Sequence, residues 1–512
     1  MLIAPALADP APFTRPVPRA REVDAIDLFL EAAAAHPQRP AVVAGGRATT
    51  YAALEERSRA YAALFADRAA PRVLVALPQE ADAYAAMFGA GLAGGFHTPL
   101  NLASPLGKME RIAGLLEPNF IVAAPALAAA LGRAAPTARL LDPAALPAAG
   151  PFRGRGERHR LAYVLFTSGS TGLPKGVMVS REALNHYVDW VCGAFGMTPA
   201  DRVSQHPNLA FDISMTDIFA ALCHGAALHP LSERDRLLPA RFIAREGITV
   251  WNSVPSVVSL MMQAGEVTAR HLQTLRLMNV CGEPLLREHC DAVFAARPDL
   301  LVQNTYGPTE ATVSMTCLPL RAETYARFCG ASVALGPAIP GMEIHLVGGA
   351  HADEGEIVLT GPQLADGYWK DEAKTNAAFR TLDTPEGPRR GYHTGDWAER
   401  REGQIFFKER IDFQVKVLGY RIELDEVAAA IRDCGWPTAI VFKRGEGLAA
   451  LVERMPGQPF DERALRRQLA AKIEPHAVPA AIAEIERMPR NDNDKLDRKA
   501  AARWFEERFT SP

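Results

Sequence analysis

The chain predicts an α/β protein with a smaller α+β segment at its carboxy-terminal end, on three observations. Short apolar runs alternate with helical patterns over roughly its first 320 residues, the texture of strand–helix–strand units around parallel sheets. From 336 to 407 short strands alternate with Gly and Pro turns, which reads as a small β-rich unit. From 411 onward short strands and two amphipathic helices form a pattern of their own.

The elements follow in order. Residues 1–18 are rich in Ala and Pro and read as a loose arm. Residues 24–35 carry Ile26, Leu28, Phe29 and Leu30 near one stripe, a helix. Thr49 and Thr50 precede a second helical stretch and are suited to cap it. Residues 72–78 are a short buried strand ended by Pro78, residues 83–93 an apolar helix, and residues 120–124 another strand. A second α/β stretch covers 202–318, with its clearest strands at 248–251 and 275–280. Residues 355–360 are a strand of the β-rich unit. The last segment holds strands at 414–417, 438–442 and 448–452, with helices at 424–431 and 462–473.

With 48% hydrophobic residues the chain has material for a large core, and a net charge of −3 offers no general basic surface to nucleic acid. No apolar run reaches the ~18 residues of a membrane span. No early positive charge marks a secretory signal. The seven cysteines include no CxxC pair, so free thiols in a reducing cytoplasm are expected rather than zinc or disulfides.

The chemistry concentrates in a few motifs. Thr167-Ser168-Gly169-Ser170-Thr171-Gly172-Leu173-Pro174-Lys175-Gly176 follows the apolar run 161–165 directly. Glycines let a backbone close on an anion with its N–H groups inward, hydroxyls add donors, and Lys175 adds charge. The Walker spacing is absent, and the competing reading is a Ser/Gly linker. Downstream stand Asn304-Thr305-Tyr306-Gly307-Pro308-Thr309-Glu310, Tyr392-His393-Thr394-Gly395-Asp396, Glu409-Arg410-Ile411-Asp412, Gly419-Tyr420-Arg421-Ile422-Glu423 and Asn493-Asp494-Lys495. Taken singly, these are ordinary turns, caps and polar loops.

Together and in this order the motifs resemble those of the AMP-forming adenylating enzymes, which comprise acyl-CoA synthetases, luciferases and nonribosomal peptide synthetase adenylation domains. The resemblance implies an arm at 1–22, a large amino-terminal domain at 23–410 made of two α/β sheet subdomains and a β-rich one, and a small mobile carboxy-terminal lid at 411–512. Asp412 would be the hinge. It implies ATP as co-substrate with Mg²⁺, an acyl-adenylate intermediate, and a thiol acceptor. The loop from Thr167 to Lys175 would hold phosphates. Asn304, the Thr305 backbone and Tyr306 would meet adenine, Thr309 the α-phosphate, Asp396 the ribose, and Arg410 the ribose or phosphate. Glu310 would ligate magnesium, a hard cation suited to carboxylate oxygen. Lys495 would bridge the substrate carboxylate and the α-phosphate, and the stretch around Gly419 would line the thiol tunnel. Two departures stand out: Glu409 and Asp494 occupy places where the family usually carries glycine, and a left-handed turn at Glu409 would be strained.

Phe211-Asp212-Ile213-Ser214 bears on the acyl group. Asp at this place binds the ammonium of α-amino acids in relatives that activate them; a helix N-cap is the bland alternative. The stretch 186–318 looks closest to D-alanine–carrier protein ligases. By that resemblance Ile213, Thr216, Ser253, Asn279, Cys281, Gly282, Thr305, Val313 and Ser314 would enclose a small side chain. Thr216 and Asn279 could hydrogen-bond a polar one. No Gly-Gly-(His/Asp)-Ser carrier motif follows Lys495. The expectation is therefore activation of a small α-amino acid and its transfer to the phosphopantetheine thiol of a separate carrier protein, with no nucleic-acid or membrane partner. The alternatives are an acyl- or aryl-CoA ligase and an inactive nucleotide-binding scaffold.

Overall fold

The computed structural model describes residues 24–147, 152, 159–168, 173–412, 414–417, 419–455, 457–490 and 496–509. Two large sheets carry most of the chain. One has seven strands in the order Gly367–Tyr368, Lys175–Ser180, Leu161–Thr167, Phe96–Pro99, Arg72–Ala76, Phe120–Ala123 and Arg139–Leu141. The other has eight, in the order Thr316–Leu320, Leu301–Tyr306, Leu277–Cys281, Val250–Ser253, Arg202–Gln205, Ala227–Pro230, Pro40–Ala44 and Arg47–Thr50. The α/β expectation holds, and the inner strands run parallel. Toward the edges the pairing changes: Arg47–Thr50, Thr316–Leu320, Gly367–Tyr368 and the adjoining Lys175–Ser180 pair antiparallel with their neighbours.

The two sheets are not consecutive blocks of sequence. Pro40–Ala44, from the start of the chain, lies beside Ala227–Pro230 in the second sheet, with Val42 opposite Leu228. Nothing local in either segment specifies that pairing. The helices at the start behave as their sequences suggest. Asp24 caps Ala25–Ala35 by accepting from the Ile26 N–H, and Thr50 caps Tyr51–Phe65 by accepting from the Ala53 N–H. Phe29, Tyr51, Tyr61 and Phe65 are wholly buried between these helices and the sheets.

The β-rich unit is a five-stranded antiparallel sheet of Glu343–Gly348, Glu354–Thr360, Gly387–Arg401, Phe379–Thr384 and Gln404–Arg410. Glu409 lies in the last of these strands, opposite Trp397, in extended backbone, so the strain expected from its replacing a glycine is absent. Beyond it Gln414–Val417 and Tyr420–Glu423 form a two-stranded hairpin. A three-stranded sheet of Ala439–Arg444, Gly447–Glu453 and Ala481–Ile485 follows, packed against Leu424–Arg432, Glu462–Ala470 and Arg498–Phe509. This end of the chain encloses apolar clusters of its own around Ile431, Val441, Leu469 and Phe505. No helix among the described residues is long and apolar enough to cross a membrane.

Candidate active site

The carboxyl ends of the two large sheets and the hairpin Gln414–Glu423 enclose a cavity of about 140 Å³. Strand ends in an open parallel sheet splay at such a point and leave a crevice for a ligand. The predicted residues Thr167, Ser168, Asp212, Ile213, Cys281, Gly282, Tyr306, Thr309, Asp396 and Arg410 all line this one cavity. Gly169, Ser170, Thr171, Gly172 and Lys495 lie outside the described residues. Of the residues beside Lys495, Pro489 lines a separate surface groove with Trp504 and Arg508.

On the nucleotide side, Asp396 is held from two directions. The Tyr306 hydroxyl donates to its Oδ2 at 2.6 Å, and Arg410 Nη1 donates to Oδ1 at 2.8 Å. Arg410 also donates to both oxygens of Asp412 at 2.6 Å and to the Thr394 carbonyl at 3.0 Å. Burial works against the Arg410 charge, but the two carboxylates outweigh it and raise the pKa above the ordinary value. Asn304 donates to the Ala334 carbonyl at 2.8 Å. Thr167 Oγ1 is buried with no partner among the described residues.

Asp212 stands just before the helix Ile213–Leu222, yet its side chain makes no capping bond. The bland reading of it as an N-cap therefore fails. Burial raises its pKa from 3.8 to about 6, against hydrogen bonds from Thr309 and the Ile213 N–H that favour the charge. Among the described residues no Lys or Arg forms an ion pair with it, although Lys416 favours its charge from nearby, and a carboxylate so placed is ready for an ammonium group.

The side-chain subsite departs from expectation. Ile213, Cys281 and Gly282 face the cavity, while the polar residues sit behind them, buried and bonded to one another. Asn279 Nδ2 donates to Asn252 Oδ1 at 2.7 Å, and Asn279 Oδ1 accepts from the Thr305 hydroxyl at 3.2 Å. Thr216 shares a hydrogen bond of 2.7 Å with the Tyr187 hydroxyl. The Ser253 hydroxyl accepts from Trp251 Nε1 at 2.9 Å. Ser314 Oγ lies 3.5 Å from Cys281 Sγ, and Val313 takes a left-handed backbone (φ +70°) beside it. Asn279 and Thr216 are thus committed to the protein interior rather than held out to a substrate.

Glu310 is fully buried and heavily contacted. Its Oε1 accepts from the Tyr368 hydroxyl at 2.9 Å and lies 3.4 Å from Lys175 Nζ; its Oε2 accepts from Arg421 Nη1 at 2.8 Å. Burial alone would raise its pKa, but Arg421 and then Lys175 more than reverse this and hold the carboxyl well below the carboxylate range. Burial, with Arg421 nearby, lowers the pKa of Lys175 in turn. A carboxylate with both oxygens taken and two cations against it does not fit a magnesium ion in this arrangement. No group of three or more His, Cys, Asp or Glu suited to a metal gathers among the described residues.

Several residues at the site carried no sequence assignment. Arg421, in the quoted Gly419-Tyr420-Arg421 stretch, is buried against Glu310; its Nε donates to Gln414 Oε1 at 2.6 Å, and its carbonyl accepts from Ser168 Oγ at 2.6 Å. The Gly419 N–H donates to Glu283. Tyr420 stacks on His476 with centroids 3.4 Å apart and meets Phe211 edge-on at 5.0 Å. Lys108 joins the two parts of the chain through Glu474 at 2.6 Å and Glu426 at 3.6 Å. Gly419, Tyr420, Arg421 and Phe211 had a signal in sequence, by lying in quoted motifs. The others are brought in by long-range packing.

The family model described as AMP-binding enzyme matches residues 29–369. The chain is 32% identical to an L-proline–[L-prolyl-carrier protein] ligase of Pseudomonas fluorescens, over 94% of this chain and 99% of that one. It is 29% identical to a D-alanine–D-alanyl carrier protein ligase of Lacticaseibacillus rhamnosus, over 91% and 96%. Among solved structures it resembles the Vibrio cholerae adenylation domain AlmE in complex with glycyl-adenosine-5'-phosphate. That match has a TM-score of 0.81 and 26% identity, over 96% of this chain and 100% of the other.

Proposed function

Since the chain belongs to the AMP-binding enzyme family, we propose that it activates a small α-amino acid with ATP and passes it to the phosphopantetheine thiol of a separate carrier protein. The uncapped carboxylate of Asp212, which makes no ion pair among the described residues and shares one cavity with Tyr306, Asp396 and Arg410, carries this reading. It puts an ammonium site next to a nucleotide site. The relatives named for proline and alanine, both joined to carrier proteins, support it.

In the first half-reaction a substrate carboxylate oxygen attacks the α-phosphorus, the bond to the β-phosphate breaks, and pyrophosphate leaves with the aminoacyl-adenylate formed. Positioning and charge stabilisation are what the protein contributes. Asp212 holds the ammonium, and Thr309, which also bonds Asp212, meets the α-phosphate. Asp396 and Arg410 hold the ribose end, and Asn304, Thr305 and Tyr306 the base. The loop from Thr167 to Lys175 holds the departing phosphates, and Lys495 bridges carboxylate and phosphate. Magnesium would supply further positive charge to the triphosphate, but Glu310, held by Tyr368, Lys175 and Arg421, does not fit it in this arrangement.

In the second half-reaction the thiol sulfur attacks the acyl carbonyl, AMP leaves, and the thiol proton passes to solvent or to the departing phosphate. The hairpin Gln414–Glu423 lines the route by which the thiol arrives. We assign residues 23–410 and 411–512 as two domains turning about Asp412, consistent with the separate apolar clusters at the carboxy-terminal end. Of the residues expected to enclose it, the side chain of the substrate meets Ile213, Cys281 and Gly282. Glycine and alanine therefore suit the subsite better than serine or diaminopropionate, because the nearby polar groups already have partners. Seven free cysteines agree with a cytoplasmic enzyme.

The test is amino-acid-dependent ATP–pyrophosphate exchange over a panel of amino acids and plain carboxylic acids. Exchange with glycine or alanine is expected. Exchange with plain acids alone would replace this reading by that of an acyl- or aryl-CoA ligase.

A further inference from the structure

We propose that Gln363 is a positioning residue that clamps a left-handed turn at Thr312-Val313, and that this turn shapes the amino-acid subsite on one side and the α-phosphate contact on the other. The proposal deepens the functional reading above and rests on it.

Among the described residues Thr312 and Val313 are the only two consecutive non-glycine residues with left-handed backbone, at φ +55° and +70°. Both are β-branched, the type that resists this region most. Such strain persists only where the surroundings hold it, and it gathers at functional sites. Here the holder is Gln363, 49 residues beyond Ser314 in sequence and fully buried. Its Nε2 donates to the carbonyls of Ser314 at 2.9 Å, Ala311 at 3.3 Å and Thr312 at 3.4 Å. Its own carbonyl accepts from the Thr312 hydroxyl at 2.7 Å. Carbonyls only accept, so they fix the amide with Nε2 toward the turn and Oε1 toward His186. His186 Nδ1 lies 2.8 Å from that oxygen, so it carries the proton and donates. The same loop holds the turn once more, where the Ala365 N–H donates to the Glu310 carbonyl at 2.8 Å.

The turn passes this order on in two directions. Toward the side-chain subsite, Ser314 Oγ lies 3.5 Å from the Sγ of Cys281, which faces the cavity. Toward the nucleotide, the turn lies against Gly307: a Cβ there would come within 2.5 Å of the Val313 carbonyl oxygen and 2.7 Å of Ser314 Cα. Gly307, Pro308 and Thr309 line the cavity, and Thr309 bonds Asp212. Gln363 itself is not part of the cavity wall. Without its amide the turn would relax toward right-handed backbone and carry Ser314 and Gly307 with it.

The test uses the full-length protein. ATP–pyrophosphate exchange is measured with alanine and with valine, and adenosine binding by calorimetry. Gln363→Met keeps the length of the side chain and removes its hydrogen bonds. It should lower kcat/KM for alanine about 100-fold, mostly in kcat, as misplaced reacting groups do. The alanine-over-valine ratio should shrink about tenfold, because a loosened apolar pocket discriminates less. Adenosine, which offers only base and ribose, should bind as it does to the wild type. Adding Thr312→Gly should recover most of both losses, since glycine takes left-handed backbone without strain. His186→Leu, which leaves the amide oxygen without its donor, should give a smaller loss in the same two readouts. An unchanged alanine-over-valine ratio in Gln363→Met, with adenosine binding intact, would overturn the proposal. So would a double variant no better than Gln363→Met alone. If Gln363→Met also loses adenosine binding, His186→Leu decides, and an unchanged ratio there overturns the proposal. Wild-type exchange with plain acids alone would instead remove the amino-acid reading, and propionate against isovalerate would then read the same ratio.

Discussion

Replacing Gly419 by alanine should separate the two half-reactions. Gly419 has φ +81°, and a Cβ there would lie 2.6, 2.9 and 3.2 Å from three side-chain carbons of Val254. The left-handed backbone disfavours alanine by about 1–2 kcal/mol, but that strain belongs to the hairpin turn in any position. The clash with Val254 belongs to the docked position alone, and overpacking of this kind costs about 1–3 kcal/mol. At 1.4 kcal/mol per tenfold, the docked population falls about 5- to 150-fold. Single-turnover transfer from supplied aminoacyl-adenylate to a phosphopantetheine acceptor should slow by that factor, with pyrophosphate exchange nearly unchanged. Adding Val254→Ala, which removes the two nearest of these carbons and leaves only Cβ at 3.2 Å, should restore most of the transfer rate, a coupling that a double-mutant cycle reads directly. Equal loss of both half-reactions, or no rescue by Val254→Ala, would refute the steric origin.

Further outcomes follow from the proposed function and the packing around the site. Asp212→Ala should raise the amino-acid KM at least tenfold, since it removes the counter-ion of the ammonium. In the wild type, kcat/KM should fall about tenfold per pH unit below about 6, where burial has moved the Asp212 carboxyl. The same raised pKa means that the folded state favours the protonated acid, so stability from this group is present at low pH and is lost as pH rises from 3.8 through about 6; Asp212→Asn should melt higher than wild type at pH 8 and alike at pH 4. Lys495→Ala should suppress exchange while sparing transfer from supplied adenylate, and equal loss of both would contradict its assignment. Asn279→Ala should lower stability by about 1–3 kcal/mol in chemical denaturation, because Asn252 and Thr305 lose a buried partner. Its ratio of kcat/KM for alanine over serine should not change, and a tenfold shift toward alanine would place Asn279 on the substrate.

What could be read from sequence divides along physical lines. Asp212, Thr309, Glu310, Asp396 and Arg410 were legible as a group because their motifs pair a residue type with a chemistry it suits, and all of them line or adjoin one cavity. The alternation of strands and helices was legible because it is local. The pairing of Val42 with Leu228 was not, since it joins strands far apart in the chain. Glu409 was misread for the opposite reason. A family habit suggested a turn, and the residue lies in a strand that any side chain can enter. Asn279 and Thr216 were read as free hydrogen-bonders because sequence shows a side chain's capacity and not who has already used it. Arg421 sat in plain view within a motif, but its role follows from a contact 111 residues distant.

The strand Pro40–Ala44 has a consequence for the birth of the protein on the ribosome. Its partner Ala227–Pro230 follows by about 180 residues, and at roughly 5–20 residues per second it emerges about 10–40 s later. For that time Ala41, Val42 and Val43 are a short apolar β segment joined to its hairpin mate Arg47–Thr50 and to nothing else in its sheet. A nascent chain stalled between the two strands would offer that open edge to its neighbours, which makes the first fifty residues the stretch where synthesis rate and solubility meet.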